Sequence, residues 1–136
     1  MTSLTAFLIV CQLGATTDPF PRTLKAILLV ESGGDPNAVG DGGRAIGPYQ
    51  IHRAYWSDAT RLLGVSWPYS DARDPLKAAA AVRAYTEHYA RHYRKPWTAE
   101  TIARIHVGGP RGPFRKSSIP YWKKVKYFLD NHPERK

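Results

Sequence analysis

An apolar helical segment that runs directly into a glycine-rich stretch is the feature that most constrains this chain. Apolar residues at three- and four-residue spacing between Thr23 and Ser32 predict a mostly buried helix. Six glycines follow between Gly33 and Gly47, and the first of them end the helix. One carboxylate, Glu31, lies at this junction. Because it has apolar neighbours on one side and closely approachable backbone on the other, we expect a raised pKa, as in a proton donor.

The length and charge of the chain limit what it can be. Its 136 residues suit one domain with a single core. A formal net charge of +9 favours polyanionic partners, and nucleic acid, anionic membrane and anionic cell-envelope polymers all fit. The basic residues concentrate in the last third, where they form either a solvated face or a substrate-facing one. No nucleic-acid-binding motif accompanies the charge, so we expect no specific nucleic-acid partner.

The one apolar run near the N-terminus, Leu4–Leu13, is too short to be a transmembrane span. Residues 1–17 are therefore either a signal peptide or an N-terminal apolar helix, and residues 18–136 form the domain. The only cysteine, Cys11, lies in this run, so an internal disulfide is excluded, whereas export is not.

Four further helices are predicted by periodicity and by their end signals. Asp74 before a proline predicts the start of the longest one, with Leu76 in its buried stripe. Thr98, and Ser117 or Ser118, are the expected N-caps of the last two. The predicted helices run over 51–63, 76–94, 99–106 and from about 119 to 129. The fold class is mostly α, with at most a small β hairpin in the Gly33–Gly47 region.

Cleavage of a glycosidic bond is the chemistry that Glu31 could carry. The reaction needs a proton on the leaving oxygen, which a carboxylic acid of raised pKa supplies, and commonly a second carboxylate. Asp41 is the best candidate for that second group, since the glycine-rich loop could fold it across a cleft; Asp35 and Asp58 are weaker candidates. The alternative for Asp41 is a turn residue.

Two separated sequence motifs resemble known enzymes. Glu31-Ser32-Gly33-Gly34 followed by Ala45-Ile46-Gly47-Pro48-Tyr49-Gln50-Ile51 resembles the lysozyme-like superfamily, including its soluble lytic transglycosylase domains. The stretches 47–58 and 103–112 resemble invertebrate-type (destabilase-like) lysozymes. The resemblance spans roughly residues 24–128 and implies an α+β lysozyme-like fold of five to six helices around a cleft.

The resemblance also implies an activity. It points to a glycosidase, secreted, periplasmic or in the cell envelope, that cleaves the β-1,4 bond between N-acetylmuramic acid and N-acetylglucosamine in peptidoglycan strands. Glu31 matches the catalytic acid, and Asp41 resembles the second acid of the invertebrate-type enzymes, at a spacing about two residues shorter. With Asp41 opposite Glu31 the product is hydrolytic, as in an antimicrobial lysozyme. Without it a 1,6-anhydro product forms, as in a lytic transglycosylase.

Further site residues follow from the same resemblance. Ser32 matches a serine that supports the catalytic carboxyl, and His106 either contacts substrate or the acid or is merely packed. The motif expected to line the sugar-binding cleft comprises Gly47, Tyr49, Gln50 and Ile51. We expect no cofactor and no metal site, because the remaining histidines lack a ligand set. We also expect a monomer.

The chain departs from invertebrate-type lysozymes in two respects. It lacks their disulfides, so its stability must come from packing of its four tryptophans and its tyrosines. Val107 replaces an asparagine that the related enzymes tend to carry. This replacement and the net charge leave a second hypothesis open, a non-catalytic basic module of lysozyme-like fold that binds glycan or polyanions without cutting them.

Overall fold

The structure, a computed structural model, describes residues 17–132. The run Leu4–Leu13, on which the signal-peptide prediction depends, lies outside the described residues. Five α-helices follow one another along the described part: α1 (Phe20–Glu31), α2 (Arg53–Leu63), α3 (Pro75–His92), α4 (Ala99–Gly108) and α5 (Ile119–Asn131). None of these helices combines the length and the apolar character that a membrane crossing needs. The predicted mostly α fold class is confirmed.

Three of the predicted helix ends are capped as expected. The Asp74 carboxylate accepts hydrogen bonds from two backbone N–H groups in the first turn of α3, at 2.9 and 3.0 Å. The Thr98 hydroxyl accepts one at 3.2 Å from the first turn of α4. Gly64 ends α2 in the left-handed conformation, with φ 69°. Two of these residues bond backbone N–H groups that the helix leaves without a partner, and the glycine adopts the left-handed φ that ends a helix. These ends can therefore be located from sequence.

Two predictions about the helices are wrong. Leu76 is 83% exposed, because it falls outside the arc of α3 that faces the core. The buried arc is carried by Ala78, Ala81, Val82, Tyr85, Thr86 and Ala90. Ser118 occupies the N-cap position of α5 without capping it. Its hydroxyl donates to the Gly112 carbonyl at 2.7 Å and accepts from Arg104 Nε at 2.8 Å, so it joins α4 to the segment that precedes α5.

The glycine-rich region forms a small antiparallel sheet. Strands β1 (Val39–Gly40), β2 (Ala45–Ile46) and β3 (Ile51–His52) pair in chain order. The hairpin of β1 and β2 is the one predicted between Gly33 and Gly47, and β3 adds a third strand to it. Since β3 leads straight into α2, the sheet is attached to the helical part of the molecule at the motif Gly47–Ile51.

The hydrophobic core surrounds α4, which packs against α1, α3 and α5. Ile102 and Ile105, on the face of α4 predicted to point inward, have no exposed surface. Trp56 is buried in the same core, and Trp67, Trp97 and Trp122 pack against it. Apolar burial of this extent is the main source of stability in a domain of this size.

Gly47 lies against the backbone of the segment that precedes α3. A Cβ at this position would lie 2.0 Å from the carbonyl oxygen of Ala72, and the backbone has φ +83°. Ala72 is fully buried in the short 3₁₀ helix Tyr69–Arg73, so it cannot move aside. Glycine is therefore required here for packing within the protein, whatever part Gly47 takes in lining the sugar-binding cleft.

We predict that Gly47→Ala lowers the free energy of unfolding by about 2 kcal/mol or more, through strained φ and a clash with backbone. Gly43→Ala is the matched control, because Gly43 also has positive φ, +92°, but open space around the missing Cβ. It should cost only about 1 kcal/mol. Urea unfolding monitored by circular dichroism measures both. Equal losses in the two variants would show that the contact with Ala72 is relieved at little cost.

Candidate active site

Glu31 lies at the last position of α1, where the helix gives way to Gly33 and Gly34, both in positive φ. Its side chain is 19% exposed. Burial raises the pKa of the Glu31 carboxyl, while the Tyr121 hydroxyl and the charges of His52 and Lys124 lower it to a smaller extent. The net direction is upward, so the protonated form of Glu31 persists to higher pH than in water. The local environment predicted from sequence is therefore present.

His106 is an ionisable neighbour of Glu31, with 3.8 Å between His106 Nε2 and Glu31 Oε1. Its Nε2 lies 3.0 Å from the Tyr49 carbonyl oxygen, and its Nδ1 lies 3.0 Å from the Tyr55 hydroxyl. A carbonyl can only accept, so Nε2 carries the proton and Nδ1 accepts from Tyr55. Burial lowers the pKa of His106 to about 4. At neutral pH His106 is therefore uncharged and forms no ion pair with Glu31.

Tyr121, on α5, places a hydroxyl beside Glu31. This oxygen is buried and has no partner within hydrogen-bond geometry among the described residues. It nevertheless lies close enough to lower the pKa of Glu31, and burial together with the Glu31 charge raises its own pKa. A buried hydroxyl without a partner is costly. A small movement toward the Glu31 carboxylate would satisfy it, so Tyr121 is suited to stabilise the ionised form.

Ser32 links α1 to the motif that follows β2. Its hydroxyl donates to the Pro48 carbonyl at 2.7 Å and accepts from the Gly34 N–H at 3.0 Å. The expected support of the Glu31 carboxyl by this hydroxyl is not what the structure shows. Ser32 instead fixes the turn that follows Glu31 and attaches it to the segment after β2.

Asp41 stands in a short 3₁₀ turn, Asp41–Gly43, between β1 and β2. Its carboxylate is 51% exposed and lies 3.2 Å from His52 Nε2 and 3.5 Å from Arg44 Nη2. His52 is also close enough to Glu31 to lower its pKa, so it is a neighbour that the two carboxylates share. The weaker candidates are engaged elsewhere: Asp35 accepts from the Asn37 N–H, and Asp58 pairs with Arg61 and Tyr89.

The residues expected to line the sugar cleft mainly hold the loop together. The Gln50 side-chain amide donates to the carbonyls of Ala38 and Gly47, both at 3.0 Å. Tyr49 is buried and offers its carbonyl to His106. Ile51 has no exposed surface, which corrects the expectation that it touches substrate. Polar side chains inside a loop satisfy its backbone before they can reach a ligand.

Three groups around Glu31 were not identified from sequence as one site: His52, Tyr55 and Tyr121. They come from the end of β3, from α2 and from α5, and no short-range spacing connects them to Glu31. A groove of about 540 Å³ lies between α1 and α5, and none of these three groups is among its lining residues. It is lined by Leu29, Val30, Lys123, Lys124, Tyr127 and Phe128. Residues 17–132 contain no group of three or more His, Cys, Asp or Glu side chains that could hold a metal ion.

Comparison with known proteins agrees with the sequence motifs. The Destabilase family model matches residues 21–127, which include Glu31, the sheet, His106 and Tyr121. The lysozyme of Meretrix lusoria is 39% identical over 91 residues, which are 67% of this chain and 73% of that protein. The invertebrate-type lysozyme of Ruditapes philippinarum is 35% identical over 82 residues, 60% of this chain and 59% of that protein. The match thus spans less than two thirds of the second relative.

Solved structures share the fold. A chain from the crystal structure of Aeromonas hydrophila PliI in complex with Meretrix lusoria lysozyme matches with a TM-score of 0.72 and 35% identity, over 89% of this chain and 99% of that chain. The Tapes japonica lysozyme matches with a TM-score of 0.71 and 26% identity, over 84% and 94%. The resemblance inferred from the two motifs is confirmed, and the chain belongs to the Destabilase family of invertebrate-type lysozymes.

Proposed function

We propose that this chain is a peptidoglycan-cleaving glycosidase that acts on the β-1,4 bond between N-acetylmuramic acid and N-acetylglucosamine. The observation that carries the proposal is the Glu31 carboxyl, partly buried, with a raised pKa and one side open to solvent. The relatives named as lysozymes support the substrate class. Because the substrate lies outside the cytoplasm, the proposal includes export; it also includes action as a monomer.

In the proposed mechanism Glu31 donates its proton to the glycosidic oxygen as the C–O bond breaks, and positive charge develops on the sugar ring. The neutral state of His106 matters here, since a cation at 3.8 Å would hold Glu31 ionised and unable to donate. When Glu31 becomes a carboxylate, the Tyr121 hydroxyl is the donor that stabilises it. His106 and Tyr121 are thus positioning residues, and Glu31 is the catalytic acid.

Asp41 is proposed as the second carboxylate. Its exposure and its shared neighbour His52 support a place on the same side of the molecule as Glu31. There it would stabilise the developing positive charge or activate a water molecule, and the product would be a reducing sugar. In the transglycosylase alternative the muramyl hydroxyl attacks the ring carbon instead, and the ionised Glu31 accepts the proton that this hydroxyl loses. The lysozyme names of the relatives favour hydrolysis.

We predict that Glu31→Gln reduces the clearing of cell-wall suspensions by about 10²–10⁴-fold, because the proton donor is lost. Binding to the insoluble wall should be nearly unchanged. Glu87→Gln is the matched control, since the Glu87 carboxylate pairs with Arg83 and Arg91 on α3. It should clear walls at the normal rate.

The same variant separates the enzyme from a binding module. Clearing at the wild-type rate by Glu31→Gln would contradict the catalytic role and favour the non-catalytic alternative. The melting temperature of Glu31→Gln, compared with that of wild type, tests whether clearing is lost through unfolding. In wild type, Glu31 ionises as pH rises through its raised pKa, and burial of that charge lowers the free energy of unfolding. Gln cannot ionise, so the variant does not carry this cost. At neutral pH the variant should therefore melt no lower than wild type.

Mass spectrometry of digested peptidoglycan distinguishes the two reaction outcomes. Hydrolysis yields products with a free reducing end, and intramolecular attack yields 1,6-anhydro products that are one water lighter. We expect the hydrolytic product from wild type. In Asp41→Asn the hydrolytic product should form more slowly. A predominant anhydro product from wild type would contradict a role of Asp41 in the mechanism.

We predict that Tyr121→Phe moves the alkaline limb of the pH profile of kcat/KM to higher pH. That limb reports loss of the Glu31 proton, and the Tyr121 hydroxyl lowers the pKa of Glu31, so its removal raises this pKa further. Tyr127→Phe, on the exposed face of α5, is the control and should leave the profile in place. A shift to lower pH in Tyr121→Phe would show that the hydroxyl does not favour the carboxylate.

A further inference from the structure

A second surface of the molecule carries cations that nothing in the described part of the chain neutralises. It lies where the end of α3 and the α4–α5 connection meet. No acidic side chain among residues 17–132 comes within ion-pair distance of its basic residues. We call this surface the cationic patch; its members are Arg94, Lys95, Arg111, Arg115 and Lys116.

Phe114 organises the cationic patch. Its side chain is 52% exposed, with Lys95 Nζ 4.4 Å and Arg111 Cζ 5.9 Å from the ring centroid. Tyr93 packs edge-on against the same ring at 5.6 Å and also contacts Arg111. Cation–π contacts therefore hold two of the charges beside one ring. The patch thus combines exposed aromatic surface with adjacent positive charge.

The acidic residues nearest in sequence do not balance this charge. Glu87 already pairs with Arg91 at 2.7 Å, and Glu100 pairs with Arg104 at 3.0 Å. Five adjacent cations without counter-charges repel one another, which a folded protein tolerates more easily when a ligand supplies the opposite charge. Guanidinium groups in particular match the geometry of phosphate oxygens.

We propose that the cationic patch binds a linear phosphodiester polymer of the cell wall and so retains the enzyme on its insoluble substrate. The choice of the wall as the source of the polymer rests on the function proposed above; the binding chemistry rests on the patch itself. A flexible chain with one negative charge per repeat can follow a row of exposed cations, and its affinity falls as salt rises.

The test measures binding of purified poly(glycerol phosphate) to the whole protein by isothermal titration calorimetry at low and physiological salt. The patch variant is Arg111→Gln/Arg115→Gln/Lys116→Gln. The matched control is Arg22→Gln/Lys25→Gln/Arg73→Gln, which removes the same charge from exposed positions on α1 and before α3. We expect about tenfold or greater weakening in the patch variant. Affinity in the control should stay within about twofold of wild type, since those positions lie outside the patch.

Several outcomes would overturn the proposal. Equal weakening in both triple variants would show that net charge binds the polymer, and no binding by wild type would show that the patch has no such ligand. Tighter binding of duplex DNA at equal phosphate concentration would assign the patch to nucleic acid.

Turnover of a soluble muropeptide oligomer provides the second readout. Both triple variants should cleave it at the wild-type rate, because they leave the groups around Glu31 in place. Loss of turnover in the patch variant alone would place the patch in the glycan cleft and contradict the proposal. Polymer binding is also measured in Glu31→Gln, so a failed catalytic assignment and a failed patch give different results.

Discussion

The two hydrogen bonds of the buried His106 ring are the interaction on which the site depends. They join α4 to the turn before β3, through the Tyr49 carbonyl, and to α2, through the Tyr55 hydroxyl. Both ring nitrogens are thereby assigned, and burial keeps the imidazole neutral. A neutral ring beside Glu31 adds no positive charge, so desolvation remains the dominant influence on the carboxyl. The protonation state of Glu31 thus depends on the neutral state of His106.

The loop that resembles a substrate-binding motif acts largely as internal scaffold. Gly47 contacts the backbone of Ala72, the Gln50 amide bonds two carbonyls, and the Ser32 hydroxyl bonds Pro48. These ties fix the sheet against the helices, and the sheet carries Asp41 and His52. A glycosidase acid and its partner must be held in a defined geometry, which rigid secondary elements provide better than a free loop.

Charge is distributed unevenly between the two surfaces of interest. Around Glu31 the adjacent His106 is neutral, and burial raises the pKa of the carboxyl more than the charges of His52 and Lys124 lower it, which suits a proton donor. Around Phe114 the cations are exposed, or half-exposed at Lys95, and form no ion pair among the described residues, which suits a polyanion. In the described part of the chain, nine of the ten ion pairs involve at least one side chain more than a third exposed and so contribute little to stability individually. The apolar core around α4 remains the main stabilising element.

Sequence alone determined the features that depend on local chemistry. Apolar spacing, the cap residues Asp74 and Thr98, and the glycine at position 64 located the helices, because these signals act within one or two turns. The position of Glu31 at the end of an apolar helix indicated its raised pKa for the same reason. The failed cap at Ser118 and the exposed Leu76 show the limit, since tertiary neighbours decided both.

Only the tertiary structure decided which side chains surround Glu31. His106, Tyr121 and His52 lie 75, 90 and 21 positions away along the chain, and packing of α4, α5 and the sheet on α1 brings them together. The tertiary structure also showed that the Gln50 side chain bonds within its own loop and that Ile51 belongs to the core. Sequence identifies residue types and the ends of helices. Burial and hydrogen-bond partners arise from long-range packing, and they set the charge state of Glu31.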